Sequence, residues 1–185
     1  MYDYILKRKL ERIYKNSTRE KRFLNWKEIQ TVLVLFDTSH IEEVTIFIQQ
    51  LKQLKKKVTV YAYQKKSDKR NYLTTGYHII LEKEAAKWFN NPLHNIVNEQ
   101  KEKPVDAVID LTIYPNIPLE YILASIPACV KAGLKKTDAP QYDLALTTSL
   151  VGEAESCQVR ELSKQIVYYL DRIGSAPPDD EPLSN

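Results

Sequence analysis

The sequence predicts an α/β protein, an open and mainly parallel sheet with helices on both faces. Three observations predict it. The run "TVLVLF" (31–36) is apolar without alternation, as a strand covered on both sides is, and "VDAVIDL" (105–111) and "ACVKAGL" (128–134) read as further strands, the first of them clearly buried. The segments between them carry apolar residues at helical spacing. Strand, helix and strand also follow one another within residues 31–63, the length of a βαβ unit, whose two strands lie parallel.

The elements follow in order. Residues 4–22 begin as a helix, with Leu6, Leu10, Ile13 and Tyr14 on one stripe and Lys7, Arg8, Lys9, Arg12 and Lys15 on the other faces. "NST" at 16–18 interrupts it, and Phe23, Leu24 and Trp26 supply an apolar anchor. Strand Thr31–Phe36 runs into a helix striped by Ile41, Val44, Phe47, Ile48, Leu51 and Leu54. Ser39 and Glu42 match the S-x-x-E capping box at its start. Lys57–Tyr63 is the second strand, and its alternating Tyr61 and Tyr63 could face solvent together. "YHIIL" (77–81) is a third.

Two helical pieces follow, "EKEAAKWF" and "PLHNIVNEQKEK", parted by a turn at Asn90-Asn91-Pro92. Pro92 suits a first helical turn, where its missing N–H is not needed. After Val105–Leu111, Asn116 is placed to cap a short helix that has Pro118 in its first turn. Then come strand 128–134, a strand in "YDLALTT" (142–148), and a long helix from Ser156 to Ile173 with Gly174 at its end. The expected organisation is a basic N-terminal helix and anchor over 1–28, appended to one α/β domain over 29–174. An acidic, proline-bearing tail over 175–185, of a composition that does not pack, closes the chain.

Composition excludes several classes. The chain has 185 residues and a net charge of +3, too small an excess to declare a nucleic-acid partner. Residues 1–28 nevertheless hold nine Lys/Arg against four acids. Lys7, Arg8, Arg12 and Lys15 are thus the residues that would meet an anionic membrane surface or RNA, although a solvated basic face is the plainer account. The partner is not fixed by the sequence, and a protein partner or a homodimer is also compatible with the chain. Cys129 and Cys157 form no C-x-x-C pair and read as two buried, reduced thiols. No signal peptide or membrane span is visible, so a cytoplasmic location is expected. The three histidines are scattered, and neither a metal nor a cofactor is expected.

The candidate binding residues lie at strand ends, where open parallel sheets take their ligands. Asp37 and Asp110 each end a buried strand, with Thr38, Ser39 and Thr112 beside them. Together they would form a polar crevice for a ribose, a sugar or a metal-bound phosphate. Alternatively, each carboxylate accepts amides of its own turn, as aspartate commonly does. The first strand-to-helix turn, Asp37-Thr38-Ser39-His40, contains no glycine, and neither phosphate-loop pattern occurs in the sequence. An aspartate at that mouth would also oppose a pyrophosphate. No nucleophile elbow is present, so no catalytic residue is assigned. Trp88-Phe89 and the tyrosines read as packing groups.

The residues Asp106, Ile109, Asp110 and Leu111, then Pro118, Leu119, Tyr121 and Ile122, then Ala128, Lys131 and Gly133, then Tyr142, Asp143 and Leu144 form a pattern. That pattern, with "KWFNNP" before it, resembles a family of short bacterial proteins with no assigned function. More distantly, it is similar to the N-terminal half of heptosyltransferase-type glycosyltransferases, which implies a Rossmann-like domain. The resemblance carries no catalysis over. Those enzymes have a Gly-Asp pair in the first turn, and their nucleotide-sugar site lies mostly in a second Rossmann domain, for which 185 residues leave no room. The expectation is therefore a small Rossmann-like binding protein for a partner or a small polar ligand. The alternative is a single-domain nucleotide- or sugar-binding enzyme or sensor with its site at the strand ends.

Overall fold

A computed structural model describes residues 2–17, 19, 21–72, 75–85, 92–136, 141–147 and 154–173, with the side chains of 2–6 and 92 excepted. The expectations for Trp88-Phe89, the Asn90-Asn91 turn, Gly174 and the tail over 175–185 lie outside the described residues.

Six strands form one parallel sheet in the order β3-β2-β1-β4-β5-β6. They are β1 (Thr31–Asp37), β2 (Lys57–Gln64), β3 (His78–Leu81), β4 (Val105–Asp110), β5 (Ala128–Leu134) and β6 (Leu144–Leu146). The helices are α1 (Tyr2–Lys15), α2 (Ile41–Gln53), α3 (Glu82–Ala85), α4 (Pro92–Lys101), α5 (Ile117–Ser125) and α6 (Glu155–Arg172). The order reverses between β1 and β4, which pair in register Val32 to Ala107 through Leu35 to Asp110. This is the doubly wound, Rossmann-like order, and the reversal is its topological switch point.

Strand alternation divides the core into two layers. Val32, Val34, Phe36, Ala107 and Ile109 face α2 and α6, packing on Val44, Phe47, Ile48, Leu51, Val159, Leu162, Ile166 and Leu170. Leu33, Leu35 and Val108 face the other way, onto Leu10, Leu93, Val97, Leu119 and Ile122 of α1, α4 and α5. Both layers are filled, which is why the central strand β1 reads as an unbroken apolar run.

Several local expectations are corrected. The N-terminal helix is not among them: it ends at Lys15, at the interruption expected from 16–18, and α1 lies on α5 with Leu10 in the core. Leu24 and Trp26 do anchor the following segment, but Phe23 is 57% exposed. Tyr61 and Tyr63 share one face as their spacing requires, yet that face is covered and both are buried. The last strand is only Leu144–Leu146. Both cysteines are half-buried and unpaired. The capping box does not form: a 3-10 turn, Thr38–His40, precedes α2, and the Ser39 hydroxyl donates to Asp37 instead. The Asn116 cap forms as expected, its side chain accepting the Leu119 amide at 3.1 Å.

Candidate functional site

At the switch point the chain leaves β1 and β4 through two short polar turns. Asp37 caps the 3-10 turn, its Oδ1 accepting the Ser39 amide at 3.0 Å and the Ser39 hydroxyl at 2.9 Å. Its other oxygen is 3.5 Å from the Lys65 ammonium. Thr38 is buried and turns away from this mouth, donating its hydroxyl to Asp68 at 2.9 Å. Asp37, Ser39, His40, Thr112, Tyr114 and Glu155 border the crevice between the strand ends.

That crevice is small, about 50 Å³. Small-molecule sites run from about 300 to 1,000 Å³. Its outer rim is Glu155, the first residue of α6. One carboxylate oxygen accepts the Tyr114 hydroxyl at 2.9 Å and the other stands 3.2 Å from His40 Nε2. Ser39 Oγ is in turn 3.2 Å from His40 Nδ1, so hydroxyl, imidazole and carboxylate stand in line. The line does not activate the serine. Its one proton lies toward Asp37 Oδ1, the nearer acceptor. Handing it to the imidazole would leave Oγ and Oδ1 in contact with no hydrogen between them.

Asp110 sits beneath the crevice and is 1% exposed. Its Oδ1 accepts the Thr112 amide at 2.9 Å and hydroxyl at 2.7 Å. Its Oδ2 accepts the Lys136 ammonium at 2.7 Å and the Tyr142 hydroxyl at 2.6 Å. Lys136 also donates to Thr112 Oγ1 and stands 3.0 Å from the Tyr142 hydroxyl oxygen. Burial opposes ionisation of Asp110, but the Lys136 charge and the hydrogen bonds from Lys136, Thr112 and Tyr142 outweigh it and hold the carboxyl below its usual range. Burial and the Asp110 charge push the Tyr142 phenol well above its usual value. Nearby, burial raises Glu120, the Lys136 charge opposing it. Glu120 Oε1, Gln141 Oε1 and Tyr14 Oη have no hydrogen-bond partner among the described residues.

A family model matches residues 3–173, under the description of a family of unknown function, DUF6913. The chain belongs to this family. A comparison with curated proteins finds no match. Among solved structures, E. coli heptosyltransferase WaaC with ADP is similar at 14% identity and a TM-score of 0.48, over 80% of this chain and 49% of that one. The chain thus spans about half the length of that structure.

In this DUF6913 member the five residues expected at the strand ends are not brought to one surface. Asp37 and Ser39 border the crevice, Thr112 borders it while itself buried and donating to Asp110, and Thr38 and Asp110 are buried and turned to internal partners. Lys7, Arg8, Arg12 and Lys15 are exposed on α1. Sequence reasoning missed His40, Tyr114, Lys136 and Glu155. Lys136 alone carried a signal, as a lysine just past β5, three residues beyond Gly133, which pairs with Asp110. Among the described residues no helix is long and apolar enough to cross a membrane.

Proposed function

We propose that this member of DUF6913 is a small cytoplasmic binding protein. It uses a Rossmann-like scaffold to hold a partner or a small polar ligand, and its switch-point crevice is not the seat of a nucleotide or a sugar. The observation that carries this reading is the crevice itself: at about 50 Å³, rimmed by Glu155 bridging His40 and Tyr114, it has no room for a ribose. The carboxylate of Asp37 at its mouth disfavours a phosphate as well. The two unpaired cysteines fit a reducing compartment.

Thermal denaturation with a panel of nucleotides and nucleotide sugars tests it, on the wild type, Asp37→Asn and Thr112→Val. The expected result is no ligand-induced shift that depends on Asp37 or Thr112. A wild-type shift that vanishes in either variant while the unliganded Tm stays put would overturn the reading. It would mark the strand ends as a nucleotide or sugar site.

A further inference from the structure

Beside the closed crevice, beyond the carboxyl ends of β2 and β3, lies a cleft of about 660 Å³. That is within the range of small-molecule sites. One wall is the connection after β2, which is unusually well tied down. Gln64 donates its side-chain amide to the carbonyls of Asp68 and Arg70, at 3.0 and 2.8 Å. Asp68 accepts the Arg70 Nε and an Arg70 terminal nitrogen, both at 3.0 Å, the Tyr72 hydroxyl at 2.8 Å and the Thr38 hydroxyl at 2.9 Å. The Arg70 guanidinium lies 5.4 Å from the centre of the Tyr72 ring. A wall ordered before binding does not lose that entropy on binding.

The lining combines two chemistries. Tyr72, Ile79 and Leu81 supply an apolar floor, and Lys65, Lys66, Lys69, Arg70 and Lys83 supply five cations. Three carboxylates, Asp68, Glu82 and Glu84, stand against them. Asp68 is saturated by the contacts above, and Glu82 accepts the Lys66 backbone amide at 2.6 Å. Among the described residues, no ion pair holds the ammonium groups of Lys66, Lys69 or Lys83.

We propose that this cleft binds a small organic anion, its apolar body against Tyr72, Ile79 and Leu81 and its phosphate or sulfonate at Lys66, Lys69 and Lys83. The site rests on the binding-protein reading above and names the ligand class for it. Long flexible lysines around an apolar floor favour a compact anionic group on an apolar body over a bare inorganic ion, because the floor then contributes burial.

The test uses 8-anilinonaphthalene-1-sulfonate as the anionic probe and N-phenyl-1-naphthylamine as its uncharged counterpart. Expected is saturable one-to-one binding of the sulfonate, followed by fluorescence. The triple variant Lys66→Gln, Lys69→Gln, Lys83→Gln should weaken it about tenfold or more, as loss of charge-assisted contacts requires. Lys57→Gln, at the opposite end of the sheet, should leave it unchanged, and the uncharged probe should bind at least about tenfold more weakly. Amide shifts in a nitrogen-15 NMR titration should centre on Tyr72, Ile79 and Leu81. Equal sulfonate binding by the triple variant and wild type, equal affinity for both probes, or shifts centred elsewhere would each overturn the proposal. A nucleotide shift lost in Asp37→Asn or Thr112→Val instead defeats the function reading; one lost only in the lysine variant supports the cleft.

Discussion

Lys136 Nζ lies 2.7 Å from the Asp110 carboxylate, with the two side chains 2% and 1% exposed. A charge so far from water is tolerable only with its partner in place. The pair joins the end of β4 to the segment after β5, and Tyr142, just before β6, donates to the same oxygen. Three successive parts of one side of the sheet are thus fastened at a single carboxylate.

Removing either partner leaves the other buried alone. Asp110→Asn and Lys136→Met should each cost about 3–5 kcal/mol in urea denaturation. The double variant should cost clearly less than the sum, since neither charge is then stranded. Additive losses would show that the two charges do not interact. Because Asp110 is held below the ordinary carboxylate range when folded, its contribution is present at pH values above the unfolded range. It is lost as pH falls through the lower, folded value. Wild type should therefore lose stability toward acid more steeply than Asp110→Asn.

Gly133 is the packing counterpart of this cluster. A Cβ there would stand 2.5 Å from Tyr142 Cε1, 2.9 Å from Cζ and 3.1 Å from the Asp110 carbonyl oxygen. The ring cannot step aside freely, because its hydroxyl is held by Asp110. Gly133→Ala should cost about 1–3 kcal/mol through overpacking. In a Tyr142→Ala background the same change should cost much less, since the ring it strikes is gone. An undiminished cost in that background would place the strain in the backbone instead.

The motif residues read from the sequence acquire physical roles in this arrangement. Asp110 and Tyr142 meet in the cluster. Asp143 accepts the Lys131 amide at 2.9 Å and the Arg19 guanidinium at 2.5 Å, and Asp106 accepts the amides of Gln30 and Thr31, each at 2.8 Å. They work as fastenings of the sheet.

The central strands were legible because two-sided burial writes itself as runs dominated by Val, Ile, Leu and Ala, unbroken in β1 and interrupted by Asp106, Asp110 and Lys131 in β4 and β5. Asn116 was legible because a cap needs only residues three apart. Strand order was not, since it depends on which face each crossover takes. The state of the strand ends was not legible either. It turns on His40 meeting Glu155 and on Asp110 meeting Lys136, contacts that no local pattern encodes. Tyr61 and Tyr63 show the same limit from the other side: spacing gave their shared face but not whether helices cover it. The cleft beyond β2 and β3 escaped notice because its cations lie in a connection that reads simply as polar.

The last prediction concerns Lys131, whose side chain is buried and donates to the Leu123 and Ala124 carbonyls at the end of α5. Burial, with the neighbouring Arg19 charge, lowers its pKa from 10.5 to about 7. The unfolded chain therefore binds a proton that the folded chain has released between these two values. Stability rises with pH wherever the unfolded state holds more protons. Through this group, stability should climb from about pH 7 toward pH 10.5 and be lost again as pH falls back to about 7. Lys131→Met keeps most of the side-chain volume and has no charge to desolvate. Denaturant unfolding of the two proteins across that range should give curves whose difference narrows as pH rises. A difference independent of pH would mean that the ammonium keeps its charge in the fold, its two carbonyl contacts outweighing burial.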